Sequence, residues 1–262
     1  MHSPDQASSM LAIIGGTGLT RLSTLQVAHR EVVRTPYGDP SSALLFGQIA
    51  GREAVFLARH GHGHTIPPHR VNYRANLSAL RERGATAVIA VASVGAIAEH
   101  RPGALVLPHS LIDYTSGRAA TYFDGGDQTV VHVDFTQPYA PELRATCLSA
   151  AKSAGIRLQD GGVYGAVNGP RLETIAEIDR MDRDGATLVG MTGMPEAVLA
   201  RELGLDYAVI CVVVNHAAGR GENSQTISME GIHSVLETAM DEVRLLLEHV
   251  VPLVSPTEKG EP

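Results

Sequence analysis

Residues 59–69, RHGHGHTIPPH, concentrate side chains that could do chemistry, because four of these eleven residues are histidines. Imidazoles at this density indicate either a metal site or a site for an anion. Zinc requires ligands held at fixed spacing, usually with further Cys, His or carboxylate ligands. Here Gly61 and Gly63 separate the histidines, which indicates a loop, and Arg59 would place a cation beside the metal. The stretch therefore favours an oxyanion, for which guanidinium and imidazole are suitable donors, and we expect no metal.

A second candidate for anion binding is IIGGTGL at residues 13–19, where an apolar run enters a glycine turn. A dinucleotide-binding turn requires a third glycine where Arg21 stands, and a P-loop requires a Gly-Lys-Ser/Thr sequence that is missing here. What remains is a backbone nest with the Thr17 hydroxyl, which can hold one phosphate through N–H and O–H donors. A purely structural tight turn is the alternative.

Polar side chains also stand where predicted strands end or helices begin. VNGPRLETIAEI, residues 167–178, places Glu173 in the first turn of a predicted helix, where a glutamate also favours the helix dipole. VGMTGMPEAVLA delivers Met191 and Thr192 before a helix that Pro195 initiates. VVVNHAAG ends a strand in an asparagine, at residue 215, where α/β sheets commonly bind ligands, although asparagine is also a turn former.

The elements that must position these residues follow from the hydrophobic pattern. Short apolar runs recur, and several are uniformly apolar, as expected for strands covered on both faces. Helical segments fall between them, four of which end in a glycine, and a longer one occupies residues 228–251. The runs predicted as strands are LAII, ALLFGQI, EAVFLA, AVIAVA, ALVLP, VVHV, TLVGM and YAVICVVV.

Alternating strands and helices without a repeat or linker predict one α/β domain at residues 11–252. The flanking residues 1–10 and 253–262 are predicted to be disordered. The net charge of −7 argues against nucleic-acid partners. The two cysteines, Cys147 and Cys211, lie far apart and predict no disulfide scaffold. Because no apolar run reaches the ~18 residues of a membrane span and no signal-peptide pattern is present, we expect a cytoplasmic protein without membrane partners.

Six sequence blocks occur along the chain in this order: GGTGL, RHGHGHTIPPHRVNYRANL, VASVGAI, GPRLETIAE, MTGMPEAVLARELGL and VVVNHAAG. Together they resemble the trimeric purine nucleoside phosphorylase and methylthioadenosine phosphorylase family, over about residues 11–250. The resemblance implies a central, distorted mixed β-sheet flanked by helices, and a homotrimer. It also implies phosphorolysis of a purine nucleoside, with inorganic phosphate as co-substrate and no cofactor.

The resemblance implies a phosphate site when it is carried over residue by residue. The family usually has a Thr or Asn just before the serine of VASVGAI, and Ala92 stands there in this chain. One side-chain contact to phosphate is therefore in question. The residues that the resemblance assigns to phosphate are Thr17, Arg59, His60, Ser93 and Thr192.

The resemblance assigns recognition of the base, and the catalytic contacts to it, to Asn215 and Glu173. Members that cleave methylthioadenosine end the VVVNHAAG strand in aspartates that accept from adenine, whereas this chain has Asn215 and Ala217. An asparagine amide can donate to a 6-oxo group and accept from N7–H. Glu173 matches a glutamate with which 6-oxopurine phosphorylases accept from N1–H, and adenine has no proton at N1. We therefore expect hypoxanthine or guanine as the base.

The opposite end of the nucleoside is expected to be apolar. By resemblance Met191 lies against the ribose, and Met229 stands where ordinary 6-oxopurine phosphorylases have a histidine for the 5′-hydroxyl. A thioether there, followed by Ile232 and His233, suits a methylthio group. A core position on an amphipathic helix is the alternative for Met229. His132 matches a histidine that methylthio-specific members send across the trimer interface.

An oxopurine base combined with an apolar 5′ end predicts phosphorolysis of S-methyl-5′-thioinosine to hypoxanthine and 5-methylthioribose 1-phosphate, in purine salvage. The alternatives within the family are phosphorolysis of S-methyl-5′-thioadenosine or of inosine and guanosine. Outside the family they are a nicotinamide-dependent oxidoreductase, a metallohydrolase built on the histidine cluster, and a catalytically inactive nucleoside-binding protein.

Overall fold

The computed structural model of the protein describes residues 10–98, 100–126, 129–221 and 229–254, with only the backbone at 229 and 230. In this part of the chain the strands form one 11-stranded sheet. The strands are β1 Met10–Gly15, β2 Gln26–Glu31, β3 Leu44–Ile49, β4 Arg52–Ala58, β5 Ala85–Ala96, β6 Leu105–Leu107, β7 Ser110–Asp113, β8 Leu158–Asp160, β9 Val163–Ala166, β10 Leu188–Gly190 and β11 Asp206–His216. The α-helices are α1 Tyr73–Glu82, α2 Pro141–Ala154, α3 Ile175–Arg183, α4 Gly193–Glu202 and α5 Met229–Val250.

The long strand β5 organises the sheet, whose main path runs β2-β3-β4-β1-β5-β10-β9-β7. The first half of β5 pairs in parallel with β1, whereas its last two residues, Gly95 and Ala96, pair antiparallel with β10. On its other edge β5 pairs in parallel with β11, and β6 joins β11 to β8. The sheet is therefore mixed and distorted around β5, which confirms the predicted fold class.

Helices cover the sheet on two faces, which explains the uniformly apolar strands. On one face α1 and α4 pack over a cluster that includes Leu77 and Leu199. On the other face α2 and α5 pack over a cluster that includes Cys147 and Val243. Successive residues of β5 alternate between the two clusters, because neighbouring side chains of a strand point to opposite faces. Among the described residues, none of the helices has the length and apolarity to cross a bilayer.

Four strands were not predicted, and one prediction was wrong. β2, QVAHRE, is polar and exposed at the edge of the sheet, so it lacks an apolar pattern. β7, β8 and β9 have only three or four residues each. The predicted strand VVHV, residues 130–133, has no regular structure, and Val130 is 73% exposed. Its β-branched residues have no neighbouring strand to pair with in the described chain, so β-propensity alone gave a wrong prediction.

The predicted boundaries differ from the structure at three places. Met10 belongs to β1, and a 3-10 turn extends to Leu253, although both residues were assigned to the flanking tails. Residues 1–9 and 255–262 lie outside the described part of the chain. Helix α3 begins only at Ile175, because Thr174 is its N-cap and accepts from the backbone N–H of Glu177. The prediction that Glu173 lies in the first turn is therefore wrong.

Candidate functional site

A cavity of about 560 Å³ opens where β5 leaves β1 and turns to pair with β10. Its volume lies within the range of roughly 300–1,000 Å³ that is typical of small-molecule sites. The end of β11 and the first turns of α5 also contribute to its wall. Nine of the predicted site residues line it: Thr17, Arg59, His60, Ser93, Glu173, Met191, Thr192, Asn215 and Ile232.

Arg59 is a buried cation at the wall of this cavity. It directly follows β4, its backbone N–H donates to the carbonyl of Gly15 over 2.9 Å, and its side chain is 1% exposed. One guanidinium nitrogen, Nη1, donates to the carbonyl of Val91 over 3.0 Å. A Cβ on Gly16 would lie 2.8 Å from this nitrogen and 2.6 Å from the Val91 carbonyl oxygen. The glycine turn after β1 therefore leaves the space through which the guanidinium reaches the cavity.

Glu196, on α4, holds Arg59 in place, and sequence reasoning missed it. Its carboxylate accepts from Nε and Nη2 of Arg59 over 2.6 and 2.7 Å, and from the hydroxyl of Tyr207 over 2.8 Å. The glutamate is fully buried. Burial alone would lower the pKa of Arg59, but the facing carboxylate outweighs it and holds that pKa above its ordinary value. The only signal in the sequence was one acidic residue inside the otherwise apolar helix PEAVLA.

The histidine-rich stretch is a compact loop that the backbone of His60 closes. The carbonyl of His60 accepts from the N–H groups of Thr65 and Ile66 over 3.0 and 3.1 Å. His64, at a positive φ of 51°, lies with Nε2 3.0 Å from the hydroxyl of Thr17, so the loop reaches across to the glycine turn. His62 and His69 are exposed outside the cavity lining. In the described ranges of the chain, no three His, Cys, Asp or Glu side chains are grouped to hold a metal ion.

The imidazole of His60 is buried and oriented. Its Nδ1 lies 2.8 Å from the carbonyl oxygen of Ile66, and because a carbonyl only accepts, Nδ1 carries the proton. Burial, reinforced by the positive charge of Arg59, lowers the pKa of His60 to about 4. At neutral pH the ring is therefore uncharged, and its second nitrogen, Nε2, is a bare acceptor.

The remaining residues predicted for phosphate lie around the same cavity. The hydroxyl of Ser93 donates to the carbonyl of Thr17 over 3.3 Å, which brings the end of β5 against the glycine turn. Thr192 follows β10, is 8% exposed, and donates its backbone N–H to the hydroxyl of Tyr164 over 3.3 Å. Ala92 also lines the cavity and offers no side-chain donor. The structure thus brings together all five residues assigned to phosphate.

Asn215 enters the cavity through a bulge in β11. Val213 pairs with Val94 and Asn215 with Gly95, so Val214 is an extra residue on the β11 side. Both Val214 and Asn215 consequently line the cavity. The side-chain Nδ2 of Asn215 donates to the carbonyl of His216 over 2.6 Å. This bond orients the amide, because an oxygen at that distance from the carbonyl would be repelled.

Glu173 reaches the cavity from the segment that precedes α3. The role at the start of that helix belongs to Glu177, which completes the capping box with Thr174. Glu173 is thereby free to face the cavity, and burial raises the pKa of its carboxyl group. A carboxylate in such surroundings is stabilised by a ligand that donates a hydrogen bond to it.

The residues predicted for the 5′ end are only partly brought together. Met191 lines the cavity and packs closely on Gly169, where a Cβ would lie 2.3 Å from the methionine sulfur. Ile232 on α5 is half-buried and also lines the cavity. His132 and His233 are exposed and are not part of the lining. Met229 begins α5, and its side chain lies outside the described residues.

Arg118, in the irregular segment after β7, is a second residue that sequence reasoning missed. Its guanidinium donates to the carbonyl of Asn168 over 2.9 Å and to the carbonyl of Met194. It also lies 5.4 Å from the ring centroid of Tyr73. Arg118 thus ties together the segments on either side of Met191, and no pattern in the sequence distinguishes it from other loop arginines.

The fold and the cavity define a small-molecule site of an α/β protein. In it, hydrogen-bond donors for an anion lie beside side chains that can form hydrogen bonds with the edge of a heterocycle. The chain belongs to the phosphorylase superfamily, whose family pattern matches residues 10–252. This match, across nearly all of the described chain, agrees with the resemblance carried by the six sequence blocks.

Individual relatives are similar over most of their length. The chain is 49% identical over 244 residues to the "Probable S-methyl-5'-thioinosine phosphorylase" of Pseudomonas syringae pv. tomato, which covers 93% of this chain and 98% of that relative. It is 43% identical to the "Probable 6-oxopurine nucleoside phosphorylase" of Moorella thermoacetica, with 92% of each chain covered. The methylthioadenosine phosphorylase of Schistosoma mansoni, solved in complex with adenine, superposes with a TM-score of 0.89 at 30% identity, covering 94% of this chain and 91% of that one.

Proposed function

We propose that the protein is a pentosyltransferase that cleaves S-methyl-5′-thioinosine with inorganic phosphate, giving hypoxanthine and 5-methylthioribose 1-phosphate in purine salvage. The observation that carries the proposal is that Asn215 and Glu173 line the same cavity as Arg59 and His60. One cavity therefore combines groups for an oxopurine edge with groups for an anion. The relatives named as S-methyl-5'-thioinosine phosphorylases, at 49% and 52% identity, support this substrate.

Proton placement supports an oxopurine base. Because Nδ2 of Asn215 is turned to the His216 carbonyl, Oδ1 is left to accept from N7–H, and the second amide hydrogen to donate to O6. Glu173 accepts from N1–H of hypoxanthine, whereas the bare N1 of adenine would face the carboxylate without a proton between them. Sites that pair a particular donor can discriminate by ~10⁴-fold or more.

The reaction follows from these positions. The C1′–N9 bond breaks with its electron pair going to the purine, and the sugar gains positive charge at C1′. Asn215 stabilises the negative charge that gathers at O6 and the proton that N7 takes up, and this proton is balanced by the one that HPO₄²⁻ loses when its oxygen bonds to C1′. A phosphate oxygen then bonds to C1′, while the donors of Arg59 and its neighbours hold the phosphate beside His60. Stabilisation of charge that develops only in the transition state is the main catalytic device.

The 5′ pocket, the homotrimer and the cytoplasmic location belong to the same proposal. Met191 and Ile232 supply apolar wall within the chain, and Met229 is proposed to extend it. His132 is exposed and lies outside the cavity lining of its own chain. That position is compatible with the proposed homotrimer, in which His132 completes the site of a neighbouring subunit.

Phosphorolysis of inosine or guanosine is the second candidate. It is favoured by the relative of Moorella thermoacetica, which is named for 6-oxopurine nucleosides. The two candidates share the base and differ at the 5′ end. A hydroxyl left unpaired in an apolar pocket costs about 1–3 kcal/mol, so methylthioinosine should be preferred over inosine by roughly 5- to 150-fold.

The deciding assay measures base release from S-methyl-5′-thioinosine, inosine and S-methyl-5′-thioadenosine, each with and without phosphate. We expect release only with phosphate, and the highest kcat/KM for methylthioinosine. Equal or higher kcat/KM for inosine would select the second candidate, and preference for methylthioadenosine would refute the assigned base contacts. Addition of a chelator or of NAD should leave the rate unchanged, whereas release without phosphate would refute phosphorolysis.

A further inference from the structure

The charges at the proposed anion site are balanced before any anion binds. Arg59 is the buried cation of this site, and both of its carboxylate contacts are to Glu196, which is itself fully buried. The pair carries no net charge. A phosphate dianion placed beside it would therefore be buried with hydrogen-bond donors but without a compensating positive charge, and burial of unpaired charge is costly.

His60 is the buried side chain at this wall that can supply the missing charge. Its Nδ1–H is committed to the Ile66 carbonyl, so only Nε2 can face a ligand, and that nitrogen is bare. A bare nitrogen lone pair and a phosphate dianion repel each other unless a proton lies between them. The charged or titratable groups that act on the ring within the described chain are Arg59, with its partner Glu196, and His64, whose ring centroid is 5.0 Å away.

We propose that phosphate binds together with one proton, which lies between Nε2 of His60 and a phosphate oxygen. This inference rests on the proposed function, since it takes phosphate as the anion of the cavity. The bound state is either an imidazolium beside HPO₄²⁻ or a neutral imidazole that accepts from H₂PO₄⁻. Both contain one proton more than neutral His60 and HPO₄²⁻ free in solution, and the proton is taken from the buffer.

The low pKa of His60, about 4 in the absence of ligand, has a consequence for this coupling. The free protein holds no proton at Nε2 at neutral pH and above, so uptake on binding should be nearly complete by pH 8, where HPO₄²⁻ predominates in solution. At lower pH, where H₂PO₄⁻ predominates in solution, phosphate brings its own proton and uptake disappears. Affinity for total phosphate should therefore weaken as the pH rises above neutrality.

Calorimetric titration of the full chain provides the test. Phosphate is titrated at pH 8 in two buffers with different ionisation enthalpies, and the difference in apparent binding enthalpy gives the number of protons taken up. We expect about one proton per phosphate. Sulfate is the second probe, because it carries no proton in this range: its dissociation constant should rise roughly tenfold for each pH unit between about 6 and 8. No proton uptake with phosphate, together with a pH-independent sulfate affinity, overturns the proposal.

Variants assign the proton to its residue. His60→Gln offers an amide donor without titration, so sulfate binding should become independent of pH. His64→Asn removes the neighbouring imidazole and should leave the proton uptake in place; loss of uptake in this variant alone would overturn the assignment to His60. His69→Asn, exposed and outside the cavity, is the matched control. If His60→Gln does not fold, the pH dependence of sulfate binding to the natural protein still decides whether a proton is taken up, and the His64 variant still decides where.

Failure of this inference can be distinguished from failure of the proposed function. A protein that binds phosphate and releases hypoxanthine without taking up a proton contradicts only the inference. A protein that binds neither phosphate nor sulfate contradicts the phosphate site itself, and both proposals fall.

Discussion

The ion pair between Glu196 and Arg59 allows a quantitative prediction about the substitution Glu196→Gln. Two hydrogen bonds of 2.6 and 2.7 Å join side chains that are 0% and 1% exposed. Removing one partner of a buried pair leaves the other charge uncompensated, which costs about 3–5 kcal/mol. Because a glutamine oxygen can still accept one of the two bonds, we expect the free energy of unfolding to fall by about 3 kcal/mol.

Urea unfolding with and without phosphate measures this effect. In Glu196→Gln, phosphate becomes the available anion for Arg59, so saturating phosphate should restore more stability to the variant than it adds to the natural protein. Activity should fall even with phosphate bound, because only one of the two hydrogen bonds that hold Nε and Nη2 of the guanidinium would remain. We expect kcat to fall while the fitted KM for phosphate does not rise.

Glu202→Gln on the same helix is a matched control. Glu202 accepts from the hydroxyl of Thr121 and the backbone N–H of Tyr122, both over 2.7 Å, and is half-buried. Its loss of charge should cost only about 1 kcal/mol and leave the response to phosphate unchanged. If Glu196→Gln lost less than about 1 kcal/mol, or responded to phosphate like the control, the role of the buried pair would be refuted.

Three further predictions concern the cavity. The substitution Asn215→Asp should shift selectivity from hypoxanthine towards adenine nucleosides. It should also lower total activity, because a carboxylate oxygen would replace the nitrogen 2.6 Å from the His216 carbonyl. Unchanged selectivity in the base-release assay would contradict the assigned contact. Since the pKa of His60 falls from 6.5 to about 4 on folding, the unfolded chain takes up its proton first, and stability should decrease by up to about 3 kcal/mol as the pH falls through this window. Unfolding curves without phosphate check this, and His60→Asn should lack that part of the decrease. The substitution Gly16→Ala should raise the KM for phosphate at least about tenfold. Its Cβ would collide with Arg59 and with the Val91 carbonyl oxygen, which would lie 2.6 Å away. The control Gly63→Ala should behave like the natural protein, because the nearest atom to its Cβ would lie 3.4 Å away.

The sequence predicted those parts of the fold whose pattern is local. The long apolar strands β1, β5 and β11 are covered by helices on both faces, so their composition alone identified them. β7 to β9 have too few residues for a pattern, and the polar edge strand β2 does not alternate. The start of α3 was misjudged because two glutamates, Glu173 and Glu177, compete for the same role, and only the hydrogen bonds at Thr174 distinguish them.

The candidate site was predictable where glycines, histidines and strand ends mark it, and not where it depends on distant pairs. Arg59 and Glu196 are 137 residues apart along the chain, and nothing in either segment indicates the other. Likewise, Arg118 joins carbonyl groups about fifty residues or more away. Such residues act on the positions of others, so only the folded chain reveals them.

The bulge at Val214 places Asn215 at the cavity, so under the proposed base contact the length of the strand contributes to base selectivity. Side chains of a strand alternate between faces, so deletion of this one residue would turn Asn215 away from the cavity while leaving the amino acid itself unchanged. Comparison of substrate preference among related chains must therefore count the residues that precede the asparagine. In a related chain that lacks the extra residue, the side chain of the same asparagine would point into the packed layer behind the sheet.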